Sequence, residues 1–379
     1  MAQTLNPSNH TFDFHCRGVG VPQAARNSML AHLDALGLRD DVRVTDASGA
    51  QLVVALSEER AAAWAPFGDT TSLARKLGLD PIGKPEDLER ETLLAMLAAP
   101  RVCGFNYPSF EEFLAAVRVR CHIASAARRT QLAFDTVEAE RPADCWAYDE
   151  ERGFTILPGK SLITSLQKAT QPDVSGKLYS FSCYRATEYV ILLGIAQTLA
   201  EINPPLLDRL QRQWQAKAVM SGPFHDVFLV EFGAMNDPLP PGYYVPGDRL
   251  WFRNPDEPSS NVPGYEGSWV FYLGGGEFSN FWKRDQHYTL TTKCVEIYHW
   301  RHGAYRDAAG QWQMDESVVE ARMRETLADP DEVERVLQQV FRLRDPQGVY
   351  AEGGCIDSSR ECPRRLCPAT SDIVLPDVA

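Results

Sequence analysis

The sequence predicts an α+β protein in which a helix carrying Cys183 packs on an antiparallel sheet, flanked by an extra N-terminal α/β unit and by C-terminal helices. Three observations predict this class. A long apolar segment of helical character begins at Cys183, segments typical of strands fill residues 226–300, and charged segments with helical spacing return after Gly310. The expected parts are an N-terminal accessory unit at 1–135, a core at 140–312, and C-terminal helices with an irregular tail at 313–379.

The N-terminal unit has the patterns of four helices and two short strands. Apolar residues recur at helical spacing, and Ser57 and Ser109 stand where N-terminal caps are expected. The expected helices are Gln23–Leu36, Ser57–Trp64, Pro85–Leu97 and Ser109–Arg129, and the expected strands are Val42–Val44 and Gln51–Leu56. Gly18 and Gly20 lack the third glycine of a dinucleotide loop, so no chemistry is predicted in this unit.

From residue 140 to the C-terminus, the sequence pattern changes from helices to strands and back to helices. The expected helices are Ser161–Thr170, Tyr184–Ala200, Pro204–Ala216, Glu316–Leu327 and Asp331–Arg342. The expected strands are Asp226–Glu231, Arg249–Phe252, Trp269–Leu273, Glu277–Trp282 and Tyr288–Trp300. Residues 348–379 are rich in Pro, Ser and Asp, which predicts irregular structure.

Composition excludes several classes of protein. The chain has 379 residues, 44% of them hydrophobic, and a formal net charge of −13, which argues against a nucleic-acid partner. Its longest apolar run, Tyr189–Ala196, is far shorter than the roughly 20 residues of a membrane helix, so no membrane partner is expected. The first ten residues are polar and lack the features of a secretory signal. We expect a cytoplasmic protein, with non-classical export as an effector left open; the oligomeric state is not predicted.

The chain has nine cysteines, too few and too scattered for a small disulfide scaffold. Three of them, Cys355, Cys362 and Cys367, lie in the tail without a CxxC pair or a nearby histidine. Free thiols in a reducing compartment are therefore expected, and no metal or other cofactor is predicted.

Cys183 is the strongest local signal for chemistry. It stands where a serine-containing loop turns into the long apolar helix, and the first-turn amides and positive end of a helix stabilise a thiolate. Arg185, in the same turn, is expected to add to this effect. The alternative is a small buried residue that packs a core helix, since cysteine is among the most buried residue types.

Residues Tyr179–Leu192 resemble the bacterial, spore-coat type of protein-glutamine gamma-glutamyltransferase, in which the nucleophilic cysteine opens a helix of the form Cys-Ala-Thr-Ala, followed by a Val-Ile run. Two later segments are similar to the same family in the same order. Pro246–Asp256 resembles its Pro-Gly-Asp strand with an Asn-Pro-Asp turn, and Tyr265–Gly274 resembles its next strand. Over Trp146–Tyr288, the resemblance implies an NlpC/P60-like, papain-type core.

The resemblance implies that Cys183 is the nucleophile, but it leaves the general base open. The family's glutamate, and the histidine of its peptidase relatives, fall at Ser268, which cannot act as a base. Glu266 shares that strand face by alternation, and a bend or bulge at Gly267 would bring it to the thiol.

Two further site candidates follow this strand. Asn280 matches the position of the third polar residue in the peptidase relatives. His287, at the start of the last expected strand, is a second candidate for the base, whereas His299 and His302 lie at its far end.

The implied activity is that of a transglutaminase-like acyltransferase. The Cys183 thiolate would attack a glutamine carboxamide, release ammonia and form a thioester, which a lysine amine or water would resolve. The implied partners are proteins with accessible glutamine and lysine side chains. A papain-like peptidase, amidase or deamidase is the alternative enzyme. A catalytically dead copy used as a binding module is the alternative without catalysis, favoured by Ser268 and by Ser182, which replaces the family's acid before the cysteine.

Overall fold

A computed structural model describes residues 17–47, 50–100, 104–134, 139–345 and 353–377. Ser48 and Gly49, between the expected strands Val42–Val44 and Gln51–Leu56, lie outside the described residues, as do Cys16 and Cys103.

The N-terminal part is a four-stranded sheet covered by helices. Its strands are β1 (Val19–Pro22), β2 (Val42–Ala47), β3 (Gln51–Leu56) and β4 (Phe105–Asn106), in the order β2-β3-β1-β4. Its helices are α1 (Arg26–Ala35), α2 (Glu58–Trp64), α3 (Leu73–Leu77), α4 (Pro85–Leu97) and α5 (Phe110–Arg129). Ser57 and Ser109 cap α2 and α5 as predicted, each accepting a hydrogen bond from the backbone N–H three residues on.

A second group of elements surrounds the apolar helix. It contains β5 (Ala133–Phe134), β6 (Trp146–Asp149), β7 (Gly153–Ile156), α6 (Leu162–Thr170), α7 (Pro172–Ser175), β8 (Ser180–Phe181), α8 (Cys183–Ile202), α9 (Pro204–Ala216) and α10 (Ser221–Phe228). Helix α8 packs closely on α5. A Cβ atom at Gly194 would lie 2.5 Å from Cγ1 of Ile123, so only glycine allows this approach. The predicted domain boundary at 135 therefore separates two helices in contact, and it stays a prediction.

The second sheet has six antiparallel strands. They are β9 (Leu229–Phe232), β10 (Arg249–Arg253), β11 (Gly267–Gly274), β12 (Glu277–Phe278), β13 (Tyr288–Thr289) and β16 (Arg360–Pro363), in the order β13-β12-β11-β10-β16-β9. The short helix α11 (Glu257–Ser260) follows β10. Along β11, Phe271 and Leu273 belong to the core that includes α8, whereas Val270 and Tyr272 belong to the core on the other face. The α+β class and the packing of α8 on β11 agree with the prediction.

Three of the expected strands are wrong over half of their length or more. Residues 288–300 form only the two-residue β13 before helix α12 (Leu290–Gly303) begins. Aromatic and β-branched residues there favoured a strand, but Thr289 and Thr292 form a reciprocal capping box, and burial on most sides hides the helical spacing. Likewise, Asp226–Glu231 divides equally between the end of α10 and the start of β9. The expected strand Glu277–Trp282 is a strand only at Glu277–Phe278, the two residues of β12.

The C-terminal part contains a small hairpin and two helices. They are β14 (Ala304–Arg306), β15 (Trp312–Met314), α13 (Glu316–Leu327) and α14 (Pro330–Val340), and α13 and α14 match the predicted helices. These helices pack with α12 on the second sheet.

The tail is irregular over most of its described residues, as predicted, but the prediction missed β16, which the tail supplies to the interior of the second sheet. Beyond β16, the buried Glu112 carboxylate on α5 accepts the backbone N–H groups of Leu366 at 2.7 Å and Cys367 at 3.0 Å. The tail cysteines Cys355, Cys362 and Cys367 are buried thiols. A partner 254 positions earlier in the chain cannot be inferred from the tail's own composition.

Within the ranges that the structure describes, no helix combines the length and the apolar character needed to cross a bilayer. The same ranges contain no group of three or more His, Cys, Asp or Glu side chains that could hold a metal ion.

Candidate active site

A cleft with a cavity volume of about 650 Å³ opens at the N-terminus of α8. Its walls are the first residues of α8 and β11, the loop after β12, and helices α12 and α13. Four of the five residues that the sequence predicts for the site line this cleft: Cys183, Ser268, Asn280 and His287. Residues distant in the chain therefore meet here, which is the arrangement a catalytic site requires.

Cys183 is the first residue of α8 and is partly exposed in the cleft. Burial raises the pKa of its thiol, whereas hydrogen bonds from the backbone N–H groups of Trp269 and Tyr184, and the positive charge of Lys293, oppose that rise. The helix start and strand β11 thus both direct donors at the sulfur. Arg185 does not take the role expected of it, because its guanidinium pairs with Glu188 at 2.5 Å.

Ser182 fixes the point at which α8 begins. Its hydroxyl accepts a hydrogen bond from the backbone N–H of Arg185 at 3.3 Å, as an N-terminal cap does.

We expect Ser182→Ala to lower the free energy of unfolding by about 1 kcal/mol, because one first-turn N–H loses its partner. Urea denaturation measures the loss. Ser161→Ala, which removes the equivalent cap of α6, is the matched control: both variants should lose stability, and only Ser182→Ala should change the alkylation rate of Cys183. Equal alkylation rates in the two variants would contradict this role for Ser182.

Ser268 and Glu266 differ in position, because β11 begins at Gly267 and Glu266 precedes the strand. Ser268 lines the cleft, whereas Glu266 is exposed outside the lining, and its carboxylate accepts the backbone N–H of Gly264 at 3.4 Å. The expected bend at Gly267 is absent, since the register from Arg253↔Gly267 to Arg249↔Phe271 is unbroken. Gly267 is instead needed for close packing, because a Cβ atom there would lie 2.2 Å from the indole nitrogen of Trp251. Glu266 as the base stays a prediction without support from this geometry.

Asn280 organises the loop that carries His287. Its side-chain oxygen accepts the backbone N–H groups of Trp282 and Lys283, both at 3.2 Å, and its amide donates to the carbonyl of Gln286 at 3.0 Å. Its own backbone N–H donates to Nδ1 of His287 at 3.3 Å. Asn280 thus closes the turn and orients the imidazole of His287.

His287 presents its other ring nitrogen as a donor. Because Nδ1 accepts a hydrogen bond, the neutral ring carries its proton on Nε2. Burial lowers the pKa of His287, and the nearby charge of Arg128 lowers it further, so the neutral form is favoured at neutral pH. In this form His287 can donate to a carbonyl oxygen, but its basic nitrogen is already engaged.

Sequence reasoning missed the wall that α12 contributes. Lys293, Glu296 and Trp300 line the cleft from successive turns of this helix. The prediction of a strand over 288–300 hid them, because strand alternation would not place these three residues on one side. The spacing of Thr289 and Thr292 was the available signal for a helix start.

Aromatic side chains extend from the sulfur along the sheet. Trp269 stacks on Trp251 with ring centroids 5.8 Å apart and an interplanar angle of 12°, and Tyr184 meets Trp269 edge-on at 5.4 Å. The guanidinium of Arg249 lies 4.8 Å from the Trp269 ring. A partly exposed thiol at a helix start, facing backbone donors inside a cleft, can perform nucleophilic acyl chemistry.

Comparisons with known proteins place this chain in a family. It matches the protein-glutamine gamma-glutamyltransferases over residues 72–353, more than half of its length, and it belongs to that family. The match covers α8, the cleft and most of the second sheet. The class of this protein is therefore that of the transglutaminase-type acyltransferases.

A bacterial enzyme of known structure is similar to part of the chain. It is the transglutaminase from Geobacillus stearothermophilus without its C-terminal extension, at 20% sequence identity and a TM-score of 0.38, with 57% of this chain and 98% of that chain covered. None of the curated proteins compared with the chain matches it.

Proposed function

We propose that the chain is a protein-glutamine gamma-glutamyltransferase in which Cys183 is the nucleophile, on a core of the NlpC/P60-like, papain type. The single observation that supports this most is the position of the Cys183 thiol. It lies at the start of α8 and accepts the backbone N–H of Trp269, inside a cleft of a chain that belongs to this family. The partners are proteins with accessible glutamine and lysine side chains.

The proposed reaction has two halves. The Cys183 thiolate attacks the carboxamide carbon of a glutamine, and the resulting oxyanion is stabilised by backbone N–H groups at the helix start and on β11. The C–N bond then breaks, the departing nitrogen takes one proton from solvent and leaves as ammonia, and a thioester remains. A lysine amine or water attacks the thioester, gives one proton back to solvent and releases the thiolate. The product is an isopeptide bond or glutamate.

Two cleft residues have supporting roles in this proposal. His287 donates from Nε2 to the glutamine side-chain oxygen or to the peptide backbone of the donor protein, and Ser268 contributes a hydroxyl to the same cleft. Asn280 acts through His287, since it holds the turn that orients the ring.

The test is the incorporation of a labelled primary amine into casein, with ammonia release followed in the same samples. We expect incorporation by the unmodified protein and its loss, to background, in Cys183→Ala. Cys121→Ala is the matched control, because this thiol is on α5 outside the cleft lining. Equal incorporation by Cys183→Ala would overturn the assignment.

Other outcomes separate the alternative functions. Ammonia without incorporation would indicate a deamidase. Absence of both signals, together with an unreactive Cys183, would favour the binding module, which Ser268 in the base position supports.

A further inference from the structure

Arg249 is a buried cation beside the start of α8, and the proposed function has not used it. It is the first residue of β10, and its side chain is 1% exposed. A buried ion pair adds little stability compared with apolar residues of the same volume, so the contacts of this arginine need another explanation. The inference drawn from them rests on the proposed function and deepens it.

The charge partner of Arg249 comes from the C-terminal strand β16. Glu361 is its direct neighbour in the register of β10 and β16, and the guanidinium Nε donates to Oε2 of Glu361. The other carboxylate oxygen of Glu361 lies 2.9 Å from Nε2 of His225. Both oxygens are therefore engaged, which fixes the carboxylate and, through it, the guanidinium.

A second donor of the guanidinium contacts α8. Nη1 of Arg249 donates to the buried hydroxyl of Thr187 at 3.2 Å. That hydroxyl donates in turn to the backbone carbonyl of Tyr184 at 2.7 Å. Because Tyr184 directly follows Cys183, this chain of hydrogen bonds ends one residue from the nucleophile.

Two aromatic rings complete the surroundings of the guanidinium. Its central carbon lies 5.2 Å from the ring centroid of Tyr184 and 4.8 Å from that of Trp269. Tyr184 belongs to α8, and Trp269 follows the cleft residue Ser268 on β11. Arg249 thus joins the helix of the nucleophile to the strand beside the cleft. The backbone N–H groups of the same two aromatic residues donate to the Cys183 sulfur.

This set of contacts suits an arginine and a positioning function. A guanidinium offers several donors in fixed directions and a flat face to aromatic rings, whereas an ammonium is a compact point charge. Misplacement of a reacting group by about 1 Å can cost on the order of 100-fold in rate. A first turn of α8 that is held rigidly is therefore an advantage for catalysis by Cys183.

We propose that Arg249, oriented by Glu361 of β16, is a positioning residue for Cys183. It holds the first turn of α8 against β11, and it thereby keeps the thiol in place beside the backbone N–H groups. Glu361 lies beyond residues 72–353, the range that matches the family. The C-terminal strand of this chain therefore supports the active site in addition to pairing within the sheet.

The first test measures alkylation of Cys183 by iodoacetamide as a function of pH, with the Cys183 peptide quantified by mass spectrometry. Thr187→Val removes the hydroxyl that links Arg249 to α8 and keeps the shape of the side chain. A first turn held less firmly stabilises the thiolate less. The inflection should therefore move upward by about 0.5 pH unit, and alkylation at pH 7 should slow about threefold.

Thr198→Val is the matched control for Thr187→Val. Its hydroxyl is also buried on α8, and it contacts His122 at 2.9 Å about three turns further along the helix. This variant should leave the inflection in place.

Glu361→Gln tests the contribution of β16 in the same assay. It keeps the shape of the side chain but leaves Arg249 without its charge partner, so the inflection should again move upward by about 0.5 pH unit. Glu231→Gln is its matched control, because Glu231 is the neighbour of Glu361 on β9, is exposed and accepts the Ser359 hydroxyl. The control should keep the inflection of the unmodified protein.

The second test applies the amine-incorporation assay to the same variants. Thr187→Val and Glu361→Gln should lower kcat about tenfold and leave KM for the labelled amine within about twofold of the unmodified protein, because positioning acts on the reacting atoms. Circular dichroism at the assay temperature shows whether each variant is folded.

Three results would overturn the proposal. Equal inflections in Thr187→Val and Thr198→Val would remove the link to α8, and equal inflections in Glu361→Gln and Glu231→Gln would remove the role of β16. A loss of incorporation through KM alone would indicate a substrate contact instead of positioning. The alkylation profile needs no protein substrate, so it tests Arg249 even if the unmodified protein shows no incorporation and the proposed function fails.

Discussion

Replacement of Asp248 with alanine should lower the free energy of unfolding by about 3 to 5 kcal/mol, because it leaves a buried arginine without its charge partner. Arg120 and Asp248 are 1% and 2% exposed, and their side chains meet at 2.5 Å. The second carboxylate oxygen of Asp248 accepts the backbone N–H of Val245 at 2.8 Å. Loss of Asp248 therefore strands two donors in the region where α5 contacts the second sheet.

Guanidinium denaturation of Asp248→Ala measures this loss. Asp173→Ala is the matched control, since it breaks an exposed ion pair with Arg284 and should leave the midpoint almost unchanged. The double variant Arg120→Met with Asp248→Leu should recover much of the stability, because it removes both buried charges together. If Asp248→Ala were as stable as Asp173→Ala, that result would contradict the assignment of the Arg120–Asp248 pair to the core.

Replacement of Glu91 with glutamine should remove a pH dependence of stability worth about 3 kcal/mol. Burial raises the pKa of Glu91 to about 7, against the opposing effects of its hydrogen bonds from Gly275 and Tyr272 and the charge of Arg128. Between pH 4.5 and 7 the folded chain holds a proton that the unfolded chain has lost, so stability falls as the pH rises through this range. Above pH 7 the curve should flatten.

Unfolding free energies measured by urea denaturation from pH 4 to pH 8 test this prediction. Glu91→Gln should lack the fall between pH 4.5 and 7, whereas Glu86→Gln, on the exposed first turn of the same helix, should keep it. The same slope in both variants would refute a protonated Glu91. The Glu91 carboxylate accepts the backbone N–H of Gly275 in the turn between β11 and β12. A change in its charge therefore also affects the turn that leads through β12 to the loop of Asn280.

The helix of Cys183 and its sheet partners could be predicted because their signals are local. An uninterrupted apolar segment after Cys183 and alternation around Trp269 each report burial within a few residues. The resemblance to the family pointed to Ser268 and Asn280, and the start of an expected strand pointed to His287. These three residues and Cys183 line one cleft.

The remaining parts depend on contacts that the sequence does not display. Lys293 is a buried lysine, and its contacts with Glu296 and Tyr288 require a helix where composition favoured a strand. Strand β16 is held by pairing with residues more than 100 positions earlier, such as Arg360 with Phe232. Local patterns report propensity and periodicity, whereas these features depend on tertiary partners.

The place of β16 in the second sheet has a consequence for biosynthesis. Strands β9 and β10 leave the ribosome well before Arg360–Pro363, yet β16 lies between them in the sheet. During translation at about 5 to 20 residues per second, both strands present an unpaired edge for several seconds. The nascent chain therefore has an interval in which this sheet can recruit a strand from another chain, and chaperone binding during that interval would favour the correct insertion.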